Sequence, residues 1–284
     1  MESIKLTILI PTYNFKLGIN KILDCIESIE DELRDYIEII ISDDSVEEII
    51  EKNRNKLLKK QFKNFFYIHN SENHGAVNNW NKLISKAKGD YIWLLHHDEY
   101  WQKEKNIIKY IFETINTKNP NVLILPITKF KTKRIFNLNF RMIQKHITFK
   151  RIMKNYINNP KLLIKSNIIG PPSALIYKKN NFSYDVNLKY FVDVEFYIRL
   201  FNSYNSKKII LGTKYFDLIS IQDNDKSITK FLQKEIKNLK KKEENYIFNR
   251  YNLKFNLFEK TLSICSYIIL KLYSIYKTKI NIDN

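Results

Sequence analysis

The chain has 284 residues, of which 44% are hydrophobic and 14% aromatic, and its 48 basic and 30 acidic side chains give a formal net charge of +18. This length and apolar content exclude a disordered protein and predict one large or two modest hydrophobic cores. Cys25 and Cys265 are the only cysteines. Two distant cysteines exclude a disulfide framework and a thiolate metal site, and they are typical of a reducing cytoplasm.

Neither end of the sequence predicts a membrane-directing segment. The first residues, MESIKLTILIPTYN, lack the charged and apolar regions of a signal peptide. The most apolar late segment, TLSICSYIILKLYSIY, is interrupted by Lys271 and is shorter than the ~20 apolar residues of a spanning helix. We therefore expect a chain that does not cross a membrane.

The first half of the sequence alternates short apolar runs with amphipathic segments. Helical spacing of apolar residues predicts helices over residues 21–33, 47–60 and 78–89. The runs typical of buried strands are, in chain order, KLTILI, YIEIIIS, NFFYIHN and YIWLL. Alternating strands and helices predict an α/β fold with a mainly parallel sheet and right-handed crossovers.

Each of these four strands is followed by a polar segment. The segments are PTYN, SDDS, NSENHG and HHDEYW, and two of them contain adjacent carboxylates. Ligands of open parallel sheets bind in the crevice beyond the carboxyl ends of the strands. The sequence therefore predicts a ligand site at that edge of the sheet.

The second half is less regular. NVLILPITKF predicts a strand, GPPSALIYKK a loop and a strand, and YFVDVEFYIRLFNSY a helix with Phe191, Val194, Tyr197, Ile198 and Phe201 on its apolar side. Two further helices are predicted beyond residue 225. We interpret residues 1–225 as a catalytic domain and residues 226–284 as a basic, helical C-terminal appendage.

The excess positive charge lies in two blocks. Residues 114–184 contain 14 basic and no acidic side chains, and residues 226–284 contain 13 basic and 5 acidic ones. Such blocks suit nucleic acid, whose phosphates bind Lys and Arg, or a membrane surface with anionic headgroups. A solvated basic face without a partner is the third interpretation.

The order of the motifs resembles that of glycosyltransferase family 2, whose members are inverting, nucleotide-sugar-dependent transferases with the GT-A fold. The resemblance covers residues 4–225. It is carried by ILIPTYN, IEIIISDDS, NHGAVNNWNKLISKAKGDYIWLLHHDEYW and YFVDVEFYIRL. It implies a Rossmann-like, mainly parallel sheet flanked by helices and a metal-dependent hexosyl transfer.

The resemblance also assigns roles to individual residues. It implies that Asp44 accepts a hydrogen bond from uracil and that Asp98 binds Mn²⁺ or Mg²⁺. His97 occupies the place of a family acid that contacts ribose. The full set of donor-binding residues implied in this way is Pro11, Tyr13, Asp44, Asn73, Gly75, His97 and Asp98.

On the acceptor side, the resemblance implies that Asp193 is the catalytic base, although Val192 stands where the family often has an acid. A structural alternative is that Asp193 is a helix-surface charge that pairs with Arg199 or a lysine. Gln222 occupies the place of a family histidine. His96 and Glu195 are assigned no role, and Asp43 would hold its loop.

Taken together, these features predict a transferase that uses a nucleotide-sugar donor, most simply a UDP-sugar, and a glycan or lipid-linked acceptor in cell-surface polysaccharide biosynthesis. We expect it in the cytoplasm, at the inner face of the cell membrane, attracted by anionic lipid and with no nucleic-acid partner. The alternatives are a basic nucleic-acid-binding protein and a GT-A scaffold that binds nucleotide without turnover.

Overall fold

A computed structural model describes residues 3–135, 138–145, 150–213, 215–221, 236–276 and 279–282. The chain divides into two compact units. Unit 1 consists of Met1–Ile127, Pro171–Ser183 and Lys207–Ser220, and unit 2 of Thr128–Gly170, Tyr184–Ser206 and Ile221–Asn284. The predicted boundary after residue 225 lies outside the described residues and stays a prediction.

The strands, in chain order, are β1 (Leu6–Thr12), β2 (Ile37–Asp43), β3 (Phe65–His69), β4 (Tyr91–Leu94), β5 (Glu99–Trp101), β6 (Val122–Ile124), β7 (Ile127–Ile135), β8 (Leu138–Lys145), β9 (Leu175–Lys178), β10 (Ile209–Leu211), β11 (Leu218–Ile221) and β12 (Lys279–Ile282). The helices are α1 (Lys16–Glu27), α2 (Asp31–Arg34), α3 (Lys52–Gln61), α4 (Ala76–Lys86), α5 (Ile107–Lys118), α6 (Lys150–Asn158), α7 (Val192–Ser203), α8 (Ile236–Tyr251) and α9 (Leu257–Tyr276).

Unit 1 is built on a seven-stranded sheet with the strand order β10-β6-β9-β4-β1-β2-β3. All neighbouring strands are parallel except at β9, which runs antiparallel to both β4 and β6. The prediction of a mainly parallel sheet is thus confirmed.

Central strands β1 and β2 are buried along their whole length. Parallel strands covered on both faces have continuous rather than alternating apolar sequences, as LTILI and IEIII have. Helix α1 buries Ile22, Leu23 and Ile26 on one face. Each such side chain stabilises the fold by about 1.5–3 kcal/mol.

Several predicted element boundaries are wrong. The predicted helix 21–33 is interrupted between α1 and α2, where the Ser28 hydroxyl donates to the Cys25 carbonyl at 2.7 Å and competes with helix continuation. Helix α3 begins five residues later than predicted, at Lys52. The predicted strand NVLILPITKF is split into β6 and β7 around Pro126, which has no N–H to donate.

Unit 2 contains the antiparallel pair β7 and β8, with β12 paired to β8, and the helices α6 to α9. The five apolar residues predicted for one side of α7 are all buried. Within the part of the chain that the structure describes, no helix is both long and apolar enough to span a bilayer.

Candidate active site

The four polar segments meet at one edge of the unit 1 sheet, as predicted. Strands β4, β1, β2 and β3 are adjacent and parallel, so their carboxyl ends point the same way. The register places Thr12 opposite Asp43 and Asp43 opposite His69. The edge therefore presents loops from four strands side by side.

Asp43 holds the loop that follows β2, which confirms its predicted structural role. Its side chain is fully buried. One carboxylate oxygen accepts the N–H of Ser45 at 3.0 Å, and the other accepts the N–H of Ile49 at 3.2 Å and the hydroxyl of Tyr67 at 2.6 Å. Burial and the bond to Asp43 raise the pKa of Tyr67, so this hydroxyl remains protonated and donates.

Asp44 follows directly and is also buried, with 5% of its surface exposed. Its Oδ1 accepts the side-chain amide of Asn70 at 2.6 Å, and Asn70 in turn accepts from Lys82 Nζ at 2.6 Å. His74 Nδ1 lies 3.8 Å from the same oxygen. A carboxylate accepts several hydrogen bonds, so this fixed group is suited to an N–H donor of a ligand.

The loop after β1 is tied to the loop after β4. The backbone N–H of Tyr13 donates to His97 Nδ1 at 3.1 Å, and the ring of Phe15 lies 5.4 Å from the His97 ring. Burial lowers the pKa of His97, although Asp98 partly offsets the effect. Since a neutral ring that accepts at Nδ1 carries its proton on Nε2, His97 presents a donor at its other nitrogen. The predicted Pro11 is buried in β1, whereas Tyr13 is 41% exposed.

Asn73 and Gly75 form the turn that starts α4. The Asn73 side-chain oxygen accepts the Gly75 N–H at 2.7 Å, a local turn typical of asparagine. Gly75 has φ 76° and precedes the first residue of α4. This left-handed conformation favours glycine, so both residues have a local structural role. Their contact with the donor stays a prediction.

His96, Asp98 and Glu99 form a candidate metal centre in which one ligand atom of each lies within 4.8 Å of the others. The His96 ring lies 4.8 Å from that of Trp80, and the backbone N–H of His96 donates to Ser173 Oγ at 2.8 Å. Among the described residues, buried His96 Nε2 has no hydrogen-bond partner. Burial lowers the pKa of His96 to about 3, so the ring is neutral at pH 7. Neutral imidazole and carboxylate oxygens fit a divalent cation.

Sequence reasoning assigned no function to His96. The signal that identifies it is its neutral, unpartnered Nε2 beside two carboxylates, which depends on burial by Trp80 and on the turn after β4. His97, not His96, holds the Tyr13 loop. The two adjacent histidines thus have different surroundings.

Asp193 lies in unit 2, as the second residue of α7, and is half-buried. Its Oδ2 accepts the side-chain amide of Asn167 at 2.8 Å, and Asn167 is itself fixed through its bond to the Gly170 carbonyl at 3.0 Å. Arg199 forms a two-pronged pair with Glu195 at 2.7 and 2.8 Å. Gln222 lies outside the described residues.

The burial of Glu195 was not foreseen. Its side chain is fully buried, and besides Arg199 it contacts the hydroxyl of Tyr251. Hydrogen bonding to Glu195 and burial raise the pKa of Tyr251, with burial the larger cause. Glu195 therefore has a structural role in unit 2.

A mainly parallel sheet with fixed carboxylates and a candidate metal centre at its carboxyl edge is the arrangement at which open α/β proteins bind their ligands. The family model described as glycosyl transferase family 2 matches residues 7–181, more than half of the chain. The chain belongs to this family and is a glycosyltransferase.

Solved structures with the same fold include residues 1–349 of S. aureus TarS, which is 18% identical with a TM-score of 0.54 over 91% of this chain and 77% of that chain. The same protein in complex with UDP is 17% identical, with a TM-score of 0.55 and coverages of 90% and 77%. Its complex with UDP-GlcNAc is 16% identical, with a TM-score of 0.54 and coverages of 92% and 78%. These likenesses confirm the GT-A fold. No curated protein matches the sequence.

Proposed function

We propose that the protein is an inverting transferase that moves a sugar from a UDP-sugar to a glycan or lipid-linked acceptor in cell-surface polysaccharide biosynthesis. The observation that carries the proposal is the fixed, buried carboxylate of Asp44 at the same sheet edge as the His96, Asp98 and Glu99 cluster. The chain's family and the UDP and UDP-GlcNAc complexes of TarS support a uridine donor.

Each donor contact follows from the chemistry of its side chain. The carboxylate of Asp44 accepts the ring N–H of uracil. The side-chain amide of Asn70, which donates to Oδ1 of Asp44, holds this carboxylate in place. The Nε2–H of His97 donates to a ribose hydroxyl, where the family acid would accept. Pro11 and Tyr13 lie beside the base, and the turn of Asn73 and Gly75 lies along the nucleotide.

Asp98 is the proposed ligand of Mn²⁺ or Mg²⁺, with His96 and Glu99 as the further side chains that fit the ion. When bound, the cation stabilises the negative charge that grows on the nucleoside diphosphate as the glycosidic bond breaks. Asp98 contributes the hard oxygen that such an ion prefers. His96 contributes a neutral nitrogen.

Asp193 is the proposed base. Its carboxylate takes the proton of the acceptor hydroxyl while that oxygen attacks the anomeric carbon, the bond from the anomeric carbon to the phosphate oxygen breaks, and UDP leaves. A single displacement inverts the configuration. Asn167 fixes one oxygen of Asp193, and the position in the first turn of α7 favours its negative charge.

We further propose that helix α9 binds an anionic membrane surface. The helix turns its serines inward, since Ser263 and Ser266 are each 3% exposed, and its Glu259 bonds Asn159 at 2.7 Å and Lys161 at 2.9 Å. It turns apolar side chains outward. This exposed stripe consists of Leu257, Ile264, Cys265, Ile268 and Ile269, with Leu257 81% and Ile264 60% exposed.

Charge favours lipid over a second copy of the chain as the partner of this stripe. Residues 226–284 carry 13 basic and 5 acidic side chains, and two chains of net charge +18 repel each other. An apolar helix face in a basic segment binds reversibly in the headgroup region. This supports the predicted cytoplasmic location at the inner face of the cell membrane and an acceptor linked to lipid.

Liposome co-sedimentation of the full chain tests the membrane part. We expect binding to vesicles of phosphatidylglycerol and phosphatidylcholine that falls as salt rises. Replacing Ile264 and Ile268 by Glu should abolish it, whereas Asn249→Glu, an exposed control on α8, should reduce it only slightly. Equal binding of both variants, or none by the wild type at low salt, would contradict the proposal.

A thermal-shift panel of nucleotide sugars with and without manganese tests the enzymatic part. We expect UDP-sugars to stabilise the protein and manganese to increase the shift, since a ligand that binds only the folded state raises the midpoint. UDP release then separates a transferase from a scaffold that binds without turnover. Filter binding at physiological salt tests the remaining alternative, a nucleic-acid-binding protein. That alternative requires the protein to retain nucleic acid on the filter. We expect no retention, because the carboxylates at the sheet edge repel phosphates.

A further inference from the structure

The start of α7 is capped by a side chain from a distant helix. Among the residues that the structure describes, no side chain at the N-cap position of α7 forms the usual cap hydrogen bond. Instead, the carboxylate of Glu243 on α8 accepts three consecutive backbone amides. Its bonds are to the N–H groups of Lys189 at 2.7 Å, Tyr190 at 3.0 and 3.3 Å, and Phe191 at 2.9 Å.

The surroundings of Glu243 favour a negatively charged carboxylate over a neutral side chain. Glu243 is 4% exposed, so nearly all of its hydrogen bonding comes from the protein. The amides before a helix lack partners within the helix, and the positive end of the helix dipole favours an anion there. A carboxylate that accepts several N–H groups forms charge-assisted bonds, which a neutral amide side chain does not reproduce because its NH₂ group donates.

The rest of α8 fixes Glu243 in place. Ile247, one turn further on, is fully buried. Tyr246 donates to Asp185 at 2.8 Å, and Arg250 also contacts Asp185. These residues follow Glu243 at spacings of three, four and seven and thus share one helical face with it. Helix α8 therefore holds the segment from Asp185 to the start of α7 at both ends.

We propose that Glu243 is a positioning residue for sugar transfer. It fixes the first turn of α7 and thereby the direction in which Asp193, the second residue of that helix, presents its carboxylate. The inference rests on the proposed role of Asp193 as base. Helix α8 then contributes to catalysis by orienting the proposed base, although residues 226–284 were predicted to be an appendage.

The test compares full-length Glu243→Gln with Glu244→Gln, a matched control one residue along the same helix, where Glu244 pairs with Lys165. Amide hydrogen exchange of residues 189–191 should become at least about tenfold faster in Glu243→Gln and stay unchanged in the control, because the lost bonds open the helix start. Unchanged exchange in Glu243→Gln would overturn the proposal without reference to activity.

Kinetics then separate positioning from general stability. With the UDP-sugar that gives the largest thermal shift, UDP release by Glu243→Gln should show kcat lowered by about 10- to 100-fold at nearly constant donor KM, the size expected for a misplaced catalytic group. Glu243→Asp, which keeps the charge with a shorter reach, should recover part of this loss. A control as slow as Glu243→Gln, or a loss confined to KM, would contradict the proposal.

A double variant distinguishes this proposal from the role of Asp193 itself. If Glu243 acts through Asp193, adding Glu243→Gln to Asp193→Asn should lower kcat by less than twofold further, because coupled residues are not additive. A full additional loss would show that Glu243 acts elsewhere. If Asp193→Asn alone leaves kcat unchanged, the proposed base fails, whereas a slow Asp193→Asn with a normal Glu243→Gln refutes only the positioning role.

Discussion

The buried carboxylates at the sheet edge of unit 1 differ in their hydrogen-bond partners from those around α7 in unit 2. At the edge, neutral donors hold Asp43 and Asp44, so the negative charge there is not cancelled by these bonds. In unit 2, Glu195 pairs with Arg199 and Glu259 with Lys161. The first region is therefore suited to take up a cation and a ligand, whereas most acids of the second hold the fold together.

Among the acids of unit 2, Asp193 is the proposed catalytic base, and it accepts the side-chain amide of Asn167. Asp193→Asn should lower transfer by about 100- to 10,000-fold, because the amide keeps the shape of the side chain but takes no proton. UDP-sugar binding should be unchanged. Rates of UDP release and calorimetric donor binding check both parts, and transfer within a few-fold of wild type would remove Asp193 from catalysis.

At the edge of unit 1, removal of one negative ligand should weaken uptake of the cation. Asp98→Asn should reduce UDP affinity in manganese at least about tenfold, or about 1.4 kcal/mol, because a neutral amide is a poorer ligand for a hard cation. Titration calorimetry with and without manganese measures the change. Equal affinity of variant and wild type in manganese would show that Asp98 is not the ligand.

Loss of the cationic partner of a buried acid in unit 2 should instead lower the free energy of unfolding. Arg199→Ala leaves the fully buried Glu195 without its cation and should destabilise the fold by about 2–4 kcal/mol. Lys16→Ala, which removes an exposed pair with Glu51, should change stability by less than about 0.5 kcal/mol. Denaturant unfolding measures both free energies. Similar costs for the two variants would contradict the structural role of Glu195.

The two cysteines lie one in each unit and allow a test that needs no substitution. Burial raises the pKa of Cys25 to about 12, whereas Cys265 lies on the exposed stripe of α9. At pH 7.5, iodoacetamide should label Cys265 about 100-fold faster, since the thiolate is the reactive form. Mass spectrometry of the peptides locates the label, and anionic vesicles should slow it. Equal labelling of both thiols in the folded chain would contradict this account.

The sheet edge was predictable because its parts are local. The segments PTYN and SDDS lie at the ends of their strands, and the parallel order of the strands brings them together. The cap of α7 was not predictable, because Glu243 lies 52 residues beyond Phe191 and no local pattern links them. For the same reason Glu195 was given no structural weight, since its burial depends on Tyr251. The break after α1 depends on one serine bond.

Calorimetry of the full chain with UDP, CDP, GDP and ADP in manganese tests the central claim most directly. The fixed carboxylate of Asp44 and the cation cluster predict one UDP site per chain, with the other nucleotides bound at least about tenfold more weakly. Chelation of the manganese should weaken UDP binding. No binding of UDP in manganese, or equal binding of all four nucleotides, would contradict the account.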